Sequence, residues 1–360
     1  MDKRFDSCAR FFSFVGMKYI PALDGVRAIA ILLVLVFHWF PEGVGINILP
    51  NGPIGVTLFF VLSGYLISNI LMEQQTKAHF FRSFKNFVIR RALRIFPIYF
   101  LVLAGLLILK RVSIVINTDF YDHPWYYWGY MYNHWLEQHT NWSDTLSPYW
   151  SLSVEEQFYV LWPFCILLIS SRFRAYFLWF CVVFGIAFRY YSVHLQQGIG
   201  VYMLTCVDTF AWGALLAHYI REGRSADISI WVRRSIIPVL FCFLMICLKH
   251  TDADLVKQLF FRTFTSLVSV AVLFYAMQPG NFAKILSISP LRLIGQMSYG
   301  IYLYHMLVPD LFFKIAGKLH IPIPELPFNI IPFIVLFTFS FLSLNLIEKP
   351  IQSFKRFFVS

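Results

Sequence analysis

Residues 22–40 read ALDGVRAIAILLVLVFHWF. The stretch decides the fold, because its apolar run is the length of one membrane crossing, roughly 20 residues as a helix. Yet it carries Asp24, Arg27 and His38, which a bilayer penalises by roughly 2.5–3.5 kcal/mol each on insertion scales. At ~100° per residue, the step from Arg27 to His38 is three turns plus about 20°. The two therefore share a helix face, about 16 Å apart along the axis. Asp24 stands one turn before Arg27 on the same stripe, placed to pair with it. A snorkelling arginine at one interface and a histidine at the other would explain the residues equally well, and only the shared face favours function.

The rest of the chain repeats the pattern. Of 360 residues, 58% are apolar and 14% are charged, against about 25% charged in an ordinary soluble chain. That excludes a soluble globular protein and a disordered one. Ten candidate spans follow: 22–40, 54–73, 95–115, 151–170, 175–194, 201–220, 235–249, 260–278, 294–313 and 328–347. The expected fold is all-α, a polytopic integral membrane bundle of about ten transmembrane helices. Residues 1–18 form a leading segment, 19–352 the membrane domain and 353–360 a tail.

The net charge of +11 would suggest nucleic acid in a soluble protein. Here it reads as topology. With both termini cytoplasmic, 21 of the 30 Lys and Arg fall on the inside and 7 outside, the bias expected of cytoplasmic loops. No nucleic-acid partner is expected, and membrane lipid is. No cleavable signal peptide is apparent in MDKRFDSCARFFSFVGMKYI, and Met17 is a candidate start. Cys8, Cys165, Cys181, Cys206, Cys242 and Cys247 lack metal-ligand spacing. They read as small apolar side chains, with no metal and no disulfide expected.

Segment 116–150 is aromatic-rich and is expected to lie along the outer surface. Its Asn141-Trp142-Ser143 matches a glycosylation sequon, a weak signal. Before the third span, KAHFFRSFKNFVIRRALRIF reads as an interfacial amphipathic helix, with Phe80, Phe84, Phe87 and Arg91 at helical spacing. Arg90, Arg91 and Arg94 cluster there. They suit phosphate groups, which a guanidinium holds bidentately, or they set topology and touch anionic lipid. In the second span Gly52, Gly55, Ser63 and Gly64 allow close helix packing, or leave room for a slim ligand.

Three further spans carry polar groups. In WSLSVEEQFYVLWP, Ser153 and Glu156 fit a capping box, which leaves Glu155 without a structural reason. Asp208 lies mid-span with Thr205 and Thr209 one turn away. His305 lies two turns from Ser298 on one face. Together, a histidine, acids and arginines from several spans suggest a polar cavity inside the bundle.

These motifs together resemble acyltransferase family 3, the membrane O-acyltransferases of the O-antigen acetylase type, from about Tyr19 to Gln352. The family's Arg, ten residues, His pattern matches Arg27 and His38. GPIGVTLFFVLSGYLI, RRALRIFP, WSLSVEEQFY, SYGIYLYH and IEKP match in order, carrying Glu155, His305 and Glu348. One departure is Cys206, where many members have an Arg two residues before Asp208. The resemblance implies transfer of an acyl group, acetyl, from cytoplasmic acetyl-CoA. The acceptor is a hydroxyl of an extracytoplasmic carbohydrate, such as lipopolysaccharide O-antigen or another surface glycan, at a bacterial inner membrane.

A sugar hydroxyl needs a base, and histidine has a pKa near operating pH. His38 is the expected base or transient acyl carrier. Arg27 would orient it or stabilise charge on the thioester oxygen, with Asp24 holding Arg27. Glu155 is expected as a further catalytic group on the acceptor side. Arg90, Arg91 and Arg94 would bind the donor, and His305, Ser298 and Asp208 the acceptor. A transporter using the same buried charges is the alternative, predicting inverted repeats that are not evident. A lipid-sensing scaffold would need neither Arg27 nor His38.

Overall fold

The computed structural model describes residues 19–75, 80–195, 198–248, 254–320 and 330–358. The leading segment 1–18 with Cys8 and Met17, and the last residues of the tail, lie outside the described residues. The helices are α1 Pro21–Trp39, α2 Asn51–Gln75, α3 Phe80–Arg111, α4 Pro124–Trp128, α5 Tyr132–His139, α6 Tyr149–Leu168, α7 Ser171–Tyr190, α8 Val207–Arg221, α9 Ser225–Cys247, α10 Leu255–Met277, α11 Asn281–Leu286, α12 Ser289–Tyr304, α13 Leu307–Lys318, α14 Ile330–Ser343 and α15 Lys349–Ser353. No strand occurs among the described residues.

Among the described residues, seven helices are long and apolar enough to cross a membrane: α1, α2, α3, α7, α9, α10 and α14, the seventh and the fourth with short continuations. The other three predicted spans are helical too, so the count of about ten is approximate. They are α6, α8 and the α12–α13 pair, which are short, polar or broken. Helix α8 has only 15 residues, about 22 Å. It is buried along most of its length, and a helix clothed by protein need not match the bilayer.

Two glycines set a close crossing of α2 and α8. A Cβ on Gly64 of α2 would overlap the carbonyl of Phe210 on α8, and one on Gly213 of α8 would overlap the carbonyl of Val61 on α2. The backbones touch there, so both positions must lack a side chain. Helix α1 packs on α2 and α12, which places its polar stripe in the middle of the bundle.

The segment before the third span leads into it as a helix, as expected: from Phe80 it runs on as α3, 32 residues, with no glycine or proline between Phe80 and Ile95. One expectation is corrected. The segment 116–150 does not lie along a surface. It folds into a cap, with Phe120, Tyr127, Tyr132, Leu136 and Leu146 fully buried. Buried Asp144 organises it, accepting from the Tyr127 hydroxyl, the Tyr132 hydroxyl at 3.2 Å, and the backbone N–H groups of Asp119 at 3.1 Å and Leu146 at 2.6 Å. Burial pushes the Asp144 carboxyl above the ordinary range, opposed by those hydrogen bonds. The sequon is engaged internally: Asn141 donates to Asp119, and Ser143 donates to Asn141.

Candidate active site

Arg27 and Asp24 pair as the spacing predicts, Nη1 to Oδ1 at 2.7 Å. The other carboxylate oxygen of Asp24 accepts from the Tyr19 hydroxyl at 2.6 Å. Asp24 is buried, so the pair fixes the guanidinium inside the bundle. Breaking a buried pair leaves an uncompensated charge and costs about 3–5 kcal/mol.

Arg27 opens on an inner cavity of about 90 Å³, together with Arg91, Arg94, Ser63, Glu155 and Ser298. Ser63 donates to Glu155 at 2.8 Å. The Arg91 guanidinium carbon lies 5.6 Å from the Phe87 ring centroid and 5.5 Å from that of Tyr159. This cation–π sandwich holds the side chain toward the cavity. Of the small residues of α2, Gly52, Gly55 and Gly64 meet neighbouring helices, while Ser63 faces the cavity. The packing reading of that motif therefore holds at the three glycines.

His38 lies elsewhere. It opens on a second, larger cavity of about 570 Å³, within the 300–1,000 Å³ usual for ligand sites. This outer cavity is bounded by the cap through Trp142 and Ser147, and by Trp150, Arg189 and Arg262. Arg27 cannot orient His38, since about 16 Å of helix separates them. The two cavities adjoin: Val56, Phe60 and Tyr302 line both.

His305 stands beside His38, ring centroids 5.0 Å apart. It is fully buried. Its Nδ1 lies 2.7 Å from the Tyr302 carbonyl oxygen. A carbonyl only accepts, so Nδ1 carries the proton and Nε2 has the lone pair. Nε2 has no hydrogen-bond partner among the described residues. Trp39 Nε1 donates to the His305 carbonyl at 3.0 Å. Tyr302 itself bonds the Ser151 hydroxyl at 2.6 Å and donates to the Pro148 carbonyl at 3.0 Å.

Several expected positions are corrected. Glu155 and Ser298 lie on the inner cavity with Arg27, Arg91 and Arg94, not on the cavity that His38 lines. Arg90 lines neither cavity. It is buried, with Nη2 unpartnered among the described residues. Asp208 also lines neither cavity. Its partners are Arg189 on α7 and the Thr263 hydroxyl at 3.1 Å, not Thr205 and Thr209. Asp208 is therefore a structural tie between helices, because Arg189 consumes its charge. Glu156 is no capping residue: α6 starts at Tyr149, and Ser153 donates back to the Tyr149 carbonyl at 3.2 Å.

Three residues that the sequence reading did not single out shape the site. Tyr302 forms the common wall. Arg262 faces the outer cavity. Glu137 ties the cap to the outer loop, accepting from Ser192 at 2.7 Å and from the N–H of Val201 at 2.6 Å. The aromatic motif SYGIYLYH contained the first, but periodicity gives no distance between helices.

A family model described as "Acyltransferase domain" matches residues 20–346. The chain is 28% identical over 361 residues to peptidoglycan O-acetyltransferase OatA of Listeria monocytogenes, covering 93% of this chain and 56% of that protein. It is 30% identical over 326 residues to a Staphylococcus aureus protein named as a candidate O-acetyltransferase, covering 83% and 52%. It thus spans about half the length of the curated relatives it matches. No solved structure matches it.

Proposed function

The chain belongs to the acyltransferase family, and from this premise we propose that it is a membrane O-acyltransferase. It moves an acyl group, acetyl, from acyl-CoA to a carbohydrate hydroxyl across the wall shared by its two cavities. The end bearing Arg91 and Arg94 faces the cytoplasm of an inner membrane, and the capped end faces out, as the basic-residue bias favours. Relatives named for peptidoglycan point the acceptor toward cell-wall glycan rather than O-antigen.

The observation that carries this reading is the junction at Val56, Phe60 and Tyr302. A donor from one side and an acceptor from the other can meet there, and neither has to cross the bilayer. The inner cavity is too small for a nucleotide but suits the slim pantetheine arm, leaving the phosphates at its mouth with Arg91 and Arg94. Arg27, fixed by Asp24, would hold the donor within the inner cavity, about 16 Å of helix from the base His38.

His38 takes the proton of the acceptor hydroxyl. The hydroxyl oxygen bonds to the acyl carbon and the carbon–sulfur bond breaks. The thiolate leaves and takes up a proton, giving ester and free thiol. His305, its Nε2 lone pair beside His38, is a positioning residue that can hold His38 in one tautomer.

The test uses the full chain in vesicles, labelled acetyl-CoA and cell-wall oligosaccharides, with ester formation read by mass spectrometry. Ester should form, and His38→Ala should abolish it without loss of fold. Fully active His38→Ala protein would overturn the base assignment. Label crossing the vesicle unesterified would instead support a transporter.

A further inference from the structure

We propose that the outer cavity selects an acceptor bearing an anionic group, a carboxylate or phosphate, and that Arg262 is its ligand. The proposal rests on the acyltransferase reading and names the substrate class.

Arg189, Lys257 and Arg262 all line this cavity, and Glu42 is the acidic residue among its described lining residues. The two arginines differ in what they have left to give. Arg189 is fully buried and committed to Asp208 and to the carbonyls of Thr205 and Leu259. Arg262 is half-buried. Its Nη1 donates to the Gly200 carbonyl and contacts Cys206 Sγ at 3.3 Å. It has no carboxylate partner among the described residues. Its guanidinium carbon lies 5.7 Å from the Trp150 ring centroid, and Trp150 lines the same cavity.

One edge of the guanidinium is thus tied to backbone and its face to an indole, while Nε and Nη2 stay available. A planar fork held in this way matches an oxyanion bidentately. Phe37, Trp142 and Trp150 supply apolar walls for a sugar ring, and His38 lines the same space. If Arg262 only strapped Gly200 and Cys206 together, no preference for charge would follow.

The full chain in detergent is titrated with three oligosaccharides of equal length: neutral, carboxylate-bearing and phosphate-bearing. Quenching of tryptophan fluorescence reads binding, and labelled acetyl-CoA reads transfer. The anionic sugars should bind about tenfold tighter than the neutral one, the worth of one charge-assisted hydrogen bond. The preference should shrink with salt. Whichever anionic sugar binds tighter identifies the group. Arg262→Gln should bring the ratio to about one, and Arg262→Lys should keep part of it, which covers a Gln variant that fails to fold. Equal binding of neutral and anionic sugars by the unsubstituted protein overturns the proposal, as does Arg262→Gln protein that keeps its preference. Anion-selective binding with no ester on any sugar leaves this inference standing and removes the acyltransferase reading instead.

Discussion

Replacing Arg91 and Arg94 together with Gln should weaken acyl-CoA binding by about 3 kcal/mol, roughly 150-fold, taking about 1.5 kcal/mol per charge-assisted hydrogen bond. Both side chains line the inner cavity, whereas the adjacent Arg90 does not. Arg90→Gln should therefore leave donor affinity within about twofold, even though the three arginines look equivalent in sequence. The Arg91 contacts with Phe87 and Tyr159 exist with or without donor, so losing them lowers stability and largely cancels in affinity. Calorimetric titration of purified variants with acyl-CoA measures the difference, alongside an assay of membrane orientation. If the arginines only set topology, the double variant will insert in mixed orientation, yet bind donor normally in its correctly inserted fraction. That result refutes the donor site. The neighbouring Arg174 is no substitute for it, because it is buried and donates to Gln75.

His38→Ala should lower the transfer rate by about 10²–10⁴, the usual worth of a general base, with acyl-CoA affinity unchanged. His305→Ala should cost less, and the reverse order in kcat would move the base to His305. Gly64→Ala should destabilise the bundle by about 1–3 kcal/mol, since its methyl group meets the Phe210 backbone, and a thermal melt in detergent reads the loss. Asp144→Asn tests the cap. The raised Asp144 carboxyl binds its proton more readily folded than unfolded, so its contribution is complete below about pH 4 and lost as pH rises through the raised value. Hydrogen exchange across 116–148 should follow that trend, and the Asn variant should flatten it.

How much the sequence showed depends on the range of each interaction. Asp24 and Arg27 lie one turn apart on one helix, so spacing alone identified the pair. Asp208 has its partner 19 residues away on another helix. Spacing could offer only Thr205 and Thr209, and both were wrong. Glu156 failed for a different reason. Ser-x-x-Glu marks a helix start only when the helix starts there, and α6 starts, with Pro148 before it, five residues earlier than a Ser153 cap would need. Apolar runs located every span, because bilayer thickness is a constraint on length that composition records directly. The same runs hid the break between α12 and α13, since 294–313 is apolar on both sides of it.

That break explains why His305 can serve the site. In an uninterrupted helix, each carbonyl accepts from the N–H four residues on. Helix α12 ends at Tyr304, and α13 begins at Leu307. The carbonyl of Tyr302 then receives His305 Nδ1, and the carbonyl of His305 receives Trp39 Nε1. The first bond fixes the tautomer of His305. The second ties the break to the end of α1, one residue beyond His38. His305 and the end of α1 that carries His38 are therefore held together through a few backbone atoms, beside the wall that Tyr302 shares between the cavities. The face common to Arg27 and His38 does not make them neighbours. It sets one on each side of that wall, Arg27 on the inner cavity and His38 on the outer one, so a donor held at Arg27 reaches His38 only by extending along the wall.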